Sequence, residues 1–384
     1  MKVWIWKLRN RGVKMKKLLI TICTVFCLFA APVASMEWGG LLFNDTGASA
    51  TDFSGVTINQ SNGVSFWVKS PIGESGLAFS SEFLYKFNLE ITKGVDPVFT
   101  QLIDVPLLKV AGDLEAGSGI LTLNAGRFYY VDSSTAVLSQ VVDGVSVAYG
   151  LQTVKFGGFV GYTGLLNALN TPMAMAPEKD QKFYNMAYPY VPVGAFVEFP
   201  AMGGNQSLEI AAYYLLDMGA AKTNLCYANL VLSGPITNSV YYNLTTSMGI
   251  VEFKDLMNYS SVAFMIFPSD AVSLNAGATF ASADQGSLKS FMSPSINSVL
   301  AAGKITPKVA LTYSTENMCI DFGGDFILAY DGSKYAPSTT DWNVGFIYNI
   351  FTDLQLGLSV NTSFDVTGAN AHNYKANLNL SLAF

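Results

Sequence analysis

Along most of the chain, apolar side chains return at every second position, and the positions between them carry small, polar or charged residues. Leu77, Phe79, Phe83, Tyr85, Phe87, Leu89 and Ile91 share one parity, while Ser80, Glu82, Lys86, Asn88 and Glu90 fill the other. A β-strand does this when one face meets an apolar phase and the other does not. The alternation recurs from Val272 to Phe280, Met318 to Tyr330, Leu354 to Val360 and Tyr374 to Phe384. Past residue 35 almost nothing has a helical period, and no apolar run approaches the ~18 residues that a spanning helix needs.

Counted this way, the chain holds eighteen strands, near 36–43, 63–69, 77–91, 106–115, 119–131, 144–150, 152–162, 191–199, 207–216, 224–233, 238–248, 258–267, 272–281, 305–314, 318–330, 341–350, 353–364 and 374–384. Most suit a tilted membrane crossing of ~9 to 11 residues. The connectors alternate in length, the odd-numbered ones being the longer of each neighbouring pair (44–62, 92–105, 132–143, 163–190, 249–257, 282–304, 331–340 and 365–373, with 217–223 marginal). Tyr130, Tyr162, Tyr214, Tyr259, Phe280, Tyr330, Trp342, Phe364 and Tyr374 stand at strand ends beside the long connectors, as girdle aromatics would. An exported soluble β-sandwich would gather its aromatics at strand centres instead. The expected fold is all-β: a transmembrane antiparallel β-barrel of eighteen strands, sixteen being the alternative, with short periplasmic turns and longer outer loops.

Composition agrees, with a mean hydropathy of +0.32 and only 13% charged residues. Residues 1–35 hold seven basic side chains, no acidic one and the apolar stretch Leu18 to Ala31 before Val33-Ala34-Ser35. This is the pattern of a cleaved secretory signal peptide, with Met15 as an alternative start, and it leaves 36–384 as the barrel. Fifteen of the 22 basic residues then face all 28 acidic ones, a net charge of −13 that excludes nucleic acid as a natural partner. Cys226 and Cys319 are the two cysteines outside that segment, and neither a disulfide framework nor a metal site is expected from them.

The alternating segment Tyr374 to Phe384 resembles the terminal strand signal of Gram-negative outer-membrane barrels. The stretch Gly126-Arg127-Phe128, Asp132, Asp143-Gly144-Val145 and Tyr149 is similar to a strand-loop-strand stretch of some bacterial porins, over residues 126–149 alone. The resemblance implies an outer-membrane location in contact with its lipids, insertion by the barrel-assembly machinery through Phe384, and passage of small solutes or ions. One departure stands out: general porins line their constriction with several arginines, and here Arg127 is the single arginine after residue 35.

If the apolar parity faces lipid, the lumen receives Lys69, Glu82, Lys86, Glu90, Lys109, Asp113, Glu115, Lys155, Glu198, Glu209, Lys308, Asp321, Asp325 and Lys375. Charges at mid-strand belong there, because a lipid-facing one costs ~2 to 4 kcal/mol at the bilayer midplane. Arg127 joins them if a bulge near Gly126 reconciles the two parities of its strand. The connector 163–190 carries Leu165, Leu166, Leu169, Met173 and Met175, an apolar cluster that fits an inward-folded constriction or a packed satellite of the wall. Catalysis has little support, since the one histidine, His372, lacks a serine or aspartate in a triad-like arrangement. No cofactor is implied. The functional expectation is a passive channel for small solutes and ions. The rivals are a transporter of hydrophobic solutes and a structural or adhesive surface barrel, and homo-oligomerisation stays open.

Overall fold

A computed structural model of the protein describes residues 36–52, 54–171, 183–293, 302–368 and 372–384. Eighteen strands follow one another: β1 (Glu37–Thr51), β2 (Ser54–Pro71), β3 (Leu77–Thr92), β4 (Val98–Ala116), β5 (Gly119–Val131), β6 (Ser139–Gly150), β7 (Lys155–Tyr162), β8 (Tyr190–Met202) and β9 (Gln206–Asp217) make the first half. The second half is β10 (Leu225–Thr237), β11 (Val240–Val251), β12 (Asp255–Ser269), β13 (Val272–Ala281), β14 (Lys304–Ser314), β15 (Met318–Tyr330), β16 (Tyr335–Asn349), β17 (Leu354–Asp365) and β18 (Asn373–Ala383). They form a single sheet in chain order, and β18 returns antiparallel to β1, with Leu41 opposite Ala383 and Thr51 opposite Asn373. Closure pairs β1 with β18, so apart from the upper part of β4 the strands have neighbours on both sides and satisfy their backbone groups without water.

Alternation sets the two faces of that wall. Val309, Leu311, Phe322, Val344, Leu358, Val360, Leu378 and Leu380 stand exposed on the outside, and their strand neighbours Lys308, Asp321, Asn343, Asn361 and Lys375 fall on the inside. The pairing register keeps each face continuous: Asp325 lies opposite both Lys308 and Asp341, and Lys375 opposite both Asn361 and Ser49.

The strands outrun the apolar segments that predicted them. The stretch 44–62 was expected as a long loop, yet β1 and β2 run through nearly all of it. The reason lies on the outer face, where Asn44, Thr46, Gln60 and Asn62 replace the usual apolar residues and hide the period. Asn44 donates to Asn62 at 2.7 Å and accepts from Thr46 at 3.2 Å, so the amides are tied across the two strands. The odd connector is therefore not the longer one in the first pair, and 331–334 equals its neighbour 350–353; elsewhere the odd connectors are the longer. Two aromatics placed in the outer girdle face inward instead: Tyr259 is buried, and Tyr130 stacks on Phe159 with ring centroids 3.8 Å apart.

Candidate functional site

The lumen is shaped by the place where β5 and β6 leave the wall. β4 and β5 pair only from Ala116 opposite Gly119 up to Leu108 opposite Arg127, whereas β5 and β6 stay paired as far as Val131 opposite Ser139. The hairpin end thus separates from β4. Gly126 sits at the parting with φ +119°, and a Cβ there would lie 2.2 Å from the Leu108 carbonyl oxygen. The register runs unbroken through Gly126 on both sides, so this glycine, and not an inserted bulge residue, redirects the strand.

The released hairpin crosses the interior. Its tip, residues 132–138, carries Asp132, whose carboxylate accepts from the backbone N–H of Ser134, Val137 and Leu138, from the Ser134 hydroxyl and from the Asn229 amide of β10 at 2.9 Å. Asn229 in turn accepts from Ser247 of β11 at 2.6 Å. Strands five places apart around the wall meet only through the inside, so these bonds fix the tip against the opposite wall. Burial pushes the Asp132 carboxyl up from its ordinary range, and the surrounding donors pull against that shift. Around the tip, Ala136, Val137, Leu138, Phe159, Tyr190, Tyr213, Leu215, Tyr227, Met257, Tyr259 and Phe291 form one buried apolar cluster. It fills the upper lumen against the wall from β7 to β13.

The connector 163–189 contributes to this packing. Leu166 is 2% exposed and belongs to the cluster, Leu165 is 49% exposed, Leu169 is half-buried, and Met173 and Met175 lie outside the described residues. The segment also braces the free upper edge of β4: Ile103 N–H donates to the Phe183 carbonyl at 3.2 Å, Asn167 donates to the Ile103 carbonyl at 3.0 Å, and Asn170 donates to Asp104 at 2.7 Å. Among the described residues, then, the inward element is chiefly the β5–β6 tip, which the apolar content of the sequence did not mark. Asp132-Ser133-Ser134 was its available signal, because an Asp whose oxygen bonds nitrogens two or more residues on makes a compact turn.

Arg127 does not stand free in the lumen. Its Nε and Nη2 donate to the two Asp143 oxygens at 2.7 and 2.8 Å, Nη1 donates to the Val105 carbonyl at 3.2 Å, and Nη2 also donates to the Leu165 carbonyl at 2.9 Å. Asp104 lies 3.7 Å from Nη1, and the arginine side chain is 12% exposed. One guanidinium therefore clasps β4, β6 and the 163–189 connector at the parting of the wall.

The other charged positions face the interior by alternation and fall into local sets. Lys155 lies 3.8 Å from Glu198, which is opposite Glu209; Lys308 lies 3.7 Å from Asp325; Lys109 donates to Asn124 at 3.3 Å. Asp113 accepts from Thr122 at 2.6 Å and Asp321 from Asn343 at 3.0 Å. Glu82, Lys86 and Glu90 follow one another up β3. A polar crescent runs along β15–β18 and β1–β4, and two cavities open on it. A cavity of about 560 Å³ is lined by Ser49, Thr57, Asp325, Asp341, Asn343, Asn361, Ser363 and Lys375, among others. A second of about 380 Å³ adjoins it, with Asp45, Asn59, Asn88, Glu90 and Asn377 in its lining and Ser49 and Lys375 shared between the two. Asp45 and Asp341 were not singled out in the sequence, since each lies outside an unbroken apolar alternation.

No family model matches the sequence, and no curated protein matches it. The fold is that of solved outer-membrane porins. Pseudomonas aeruginosa OpdQ is similar with a TM-score of 0.61 at 11% identity, over 91% of this chain and 99% of that one. P. aeruginosa OccK2 (OpdF), solved in complex with glucuronate, gives 0.62 at 12% identity over 92% and 98%. Acinetobacter baumannii OccAB4 gives 0.59 at 10% over 91% and 98%.

Proposed function

We propose that the protein is an outer-membrane channel through which small hydrophilic solutes and ions diffuse passively. The observation that carries this reading is the polar crescent: in a closed barrel with an apolar outside, a connected lining of amides, hydroxyls and charges has use only if water fills it. The apolar cluster on the other side narrows the lumen and confines solutes to that crescent. The shared fold of OpdQ and OccK2 supports the same reading. Export with removal of residues 1–35, which lie outside the described residues, and insertion through the assembly machinery complete it. Purified protein in planar bilayers should show discrete conductance steps that scale with salt. Their absence would leave the barrel as an anchor for surface loops. N-terminal sequencing of outer-membrane material should begin close to Met36, and a retained N-terminus would overturn the export reading.

A further inference from the structure

We propose that the crescent holds a binding station for small zwitterions, of amino-acid or dipeptide size, with their carboxylate on Lys375 and their ammonium on the Asp325–Asp341 pair. This rests on the channel reading and names its solute class.

Lys375 is the residue the two cavities have in common that carries a positive charge. It is exposed on the inner wall and makes no ion pair or hydrogen bond among the described residues. Asp325 and Asp341 face each other across β15 and β16 and line the same cavity. Like charges at cross-strand positions repel, which favours a cation between them. Their protein partners are weak. Lys308 approaches Asp325 only to 3.7 Å, beyond hydrogen-bond reach, and Asp341 Oδ1 is buried with no hydrogen-bond partner among the described residues. A buried carboxylate oxygen without a donor is costly, and a ligand donor removes that cost.

The register gives the spacing. Lys375 is opposite Asn361, Asn361 is opposite Asn343, and Asp341 lies two residues along β16 from Asn343. Two strand spacings and two residue steps separate the backbones by about 12 Å. The long lysine side chain shortens that gap to roughly the reach of two extended residues, about 7 Å. A solute carrying one charge satisfies one end of this station and leaves the other. A zwitterion satisfies both, with Asn343, Asn361 and Ser363 lining the space between as neutral hydrogen-bonding groups.

Single-channel recording of the full-length protein in planar bilayers tests this, with glycylglycine, acetate and methylammonium as probes at neutral pH. Glycylglycine should interrupt the current for longer than either single-charge probe in the wild type, a comparison that needs no variant. Lys375→Gln and Asp341→Asn should each shorten its residence by about fivefold, the worth of an exposed ion pair. Acetate should respond only to the first substitution and methylammonium only to the second. Glycylglycine residence unchanged in either variant, or matched by acetate or methylammonium alone, overturns the station while leaving the channel intact. Absence of any current overturns both.

Discussion

A single side chain holds the wall together where two strands part. Arg127 neutralises the half-buried Asp143, approaches the buried Asp104 and caps carbonyls of β4 and the 163–189 connector, so its loss leaves both carboxylates without their cation and exposes an open seam. Arg127→Met should destabilise the barrel by about 3 to 5 kcal/mol, the usual result of removing one partner of a buried pair. Urea titration of the heat-modifiable form would measure it. Arg127→Lys should recover little, because an ammonium cannot supply the two parallel bonds to Asp143. Asp132 acts at the other end of the same hairpin. Asp132→Ala leaves three backbone N–H groups and the Asn229 amide without their acceptor, and should cost at least about 2 kcal/mol of local stability. In bilayers the variant should show larger and noisier currents, because a loosened tip opens the half of the lumen that the apolar cluster now fills. Unchanged current noise would mean that the apolar packing alone holds the tip.

Among the elements, the β5–β6 hairpin and β18 show how local sequence acquires a distant role. The hairpin is ordinary alternating strand up to Gly126, and beyond it Val137 and Leu138 at the tip find apolar partners only because the facing wall presents Tyr213, Tyr227 and Met257. On β18 the alternation ends at Phe384, whose backbone exchanges hydrogen bonds with Gly40 at 2.8 and 3.0 Å while its ring lies against that glycine. Phe384 thus closes the barrel at its base as well as carrying the assembly resemblance. Phe384→Ser keeps the backbone bonds and removes the ring, whereas deletion removes both. If assembly depends on the ring, both variants should lower the folded, heat-modifiable protein in the outer membrane to a similar extent. Normal insertion of the serine variant would assign any defect of the deletion to barrel closure. Epitope tags at Gly286 and Gly368 should label on intact cells and a tag at Gly203 only after permeabilisation, since the connectors 282–303 and 366–372 lie on the side opposite to 203–205.

For the molecule as a whole, charge favours cations. The charged wall positions expected from sequence are close to balanced, eight acids against seven bases, which leaves a surplus of twelve acids for the turns, loops and strand ends. The structure adds Asp45 and Asp341 to the crescent and withdraws Arg127 into the seam, so the open lining is itself more acidic than expected. Mouth charge acts within a Debye length, ~10 Å at 0.1 M salt, and fades as salt rises. Reversal potentials under a salt gradient should therefore show weak cation selectivity at low ionic strength that declines toward molar salt. Anion selectivity at low salt would contradict this charge distribution.

By itself the sequence determined the class, the number of strands and most of their positions, because a wall between lipid and water imposes period two on nearly every strand. β3, β13 and β15 were legible almost to the residue, each an alternation between turns broken at most once, by Ser81 in β3 and Gly324 in β15. β1 and β2 were cut short because Asn44 and Asn62 satisfy one another across strands, a pairing invisible along the chain. Tertiary structure alone decided which connector turns inward, where Arg127 points and which half of the lumen stays open. Each depends on residues from different elements meeting in space, Arg127 with Asp143 and Leu165 at the seam and Asp132 with Asn229, almost a hundred positions on, across the barrel interior. Alternation records the solvent on each side of a strand, and carries no information about what lies across the lumen from it.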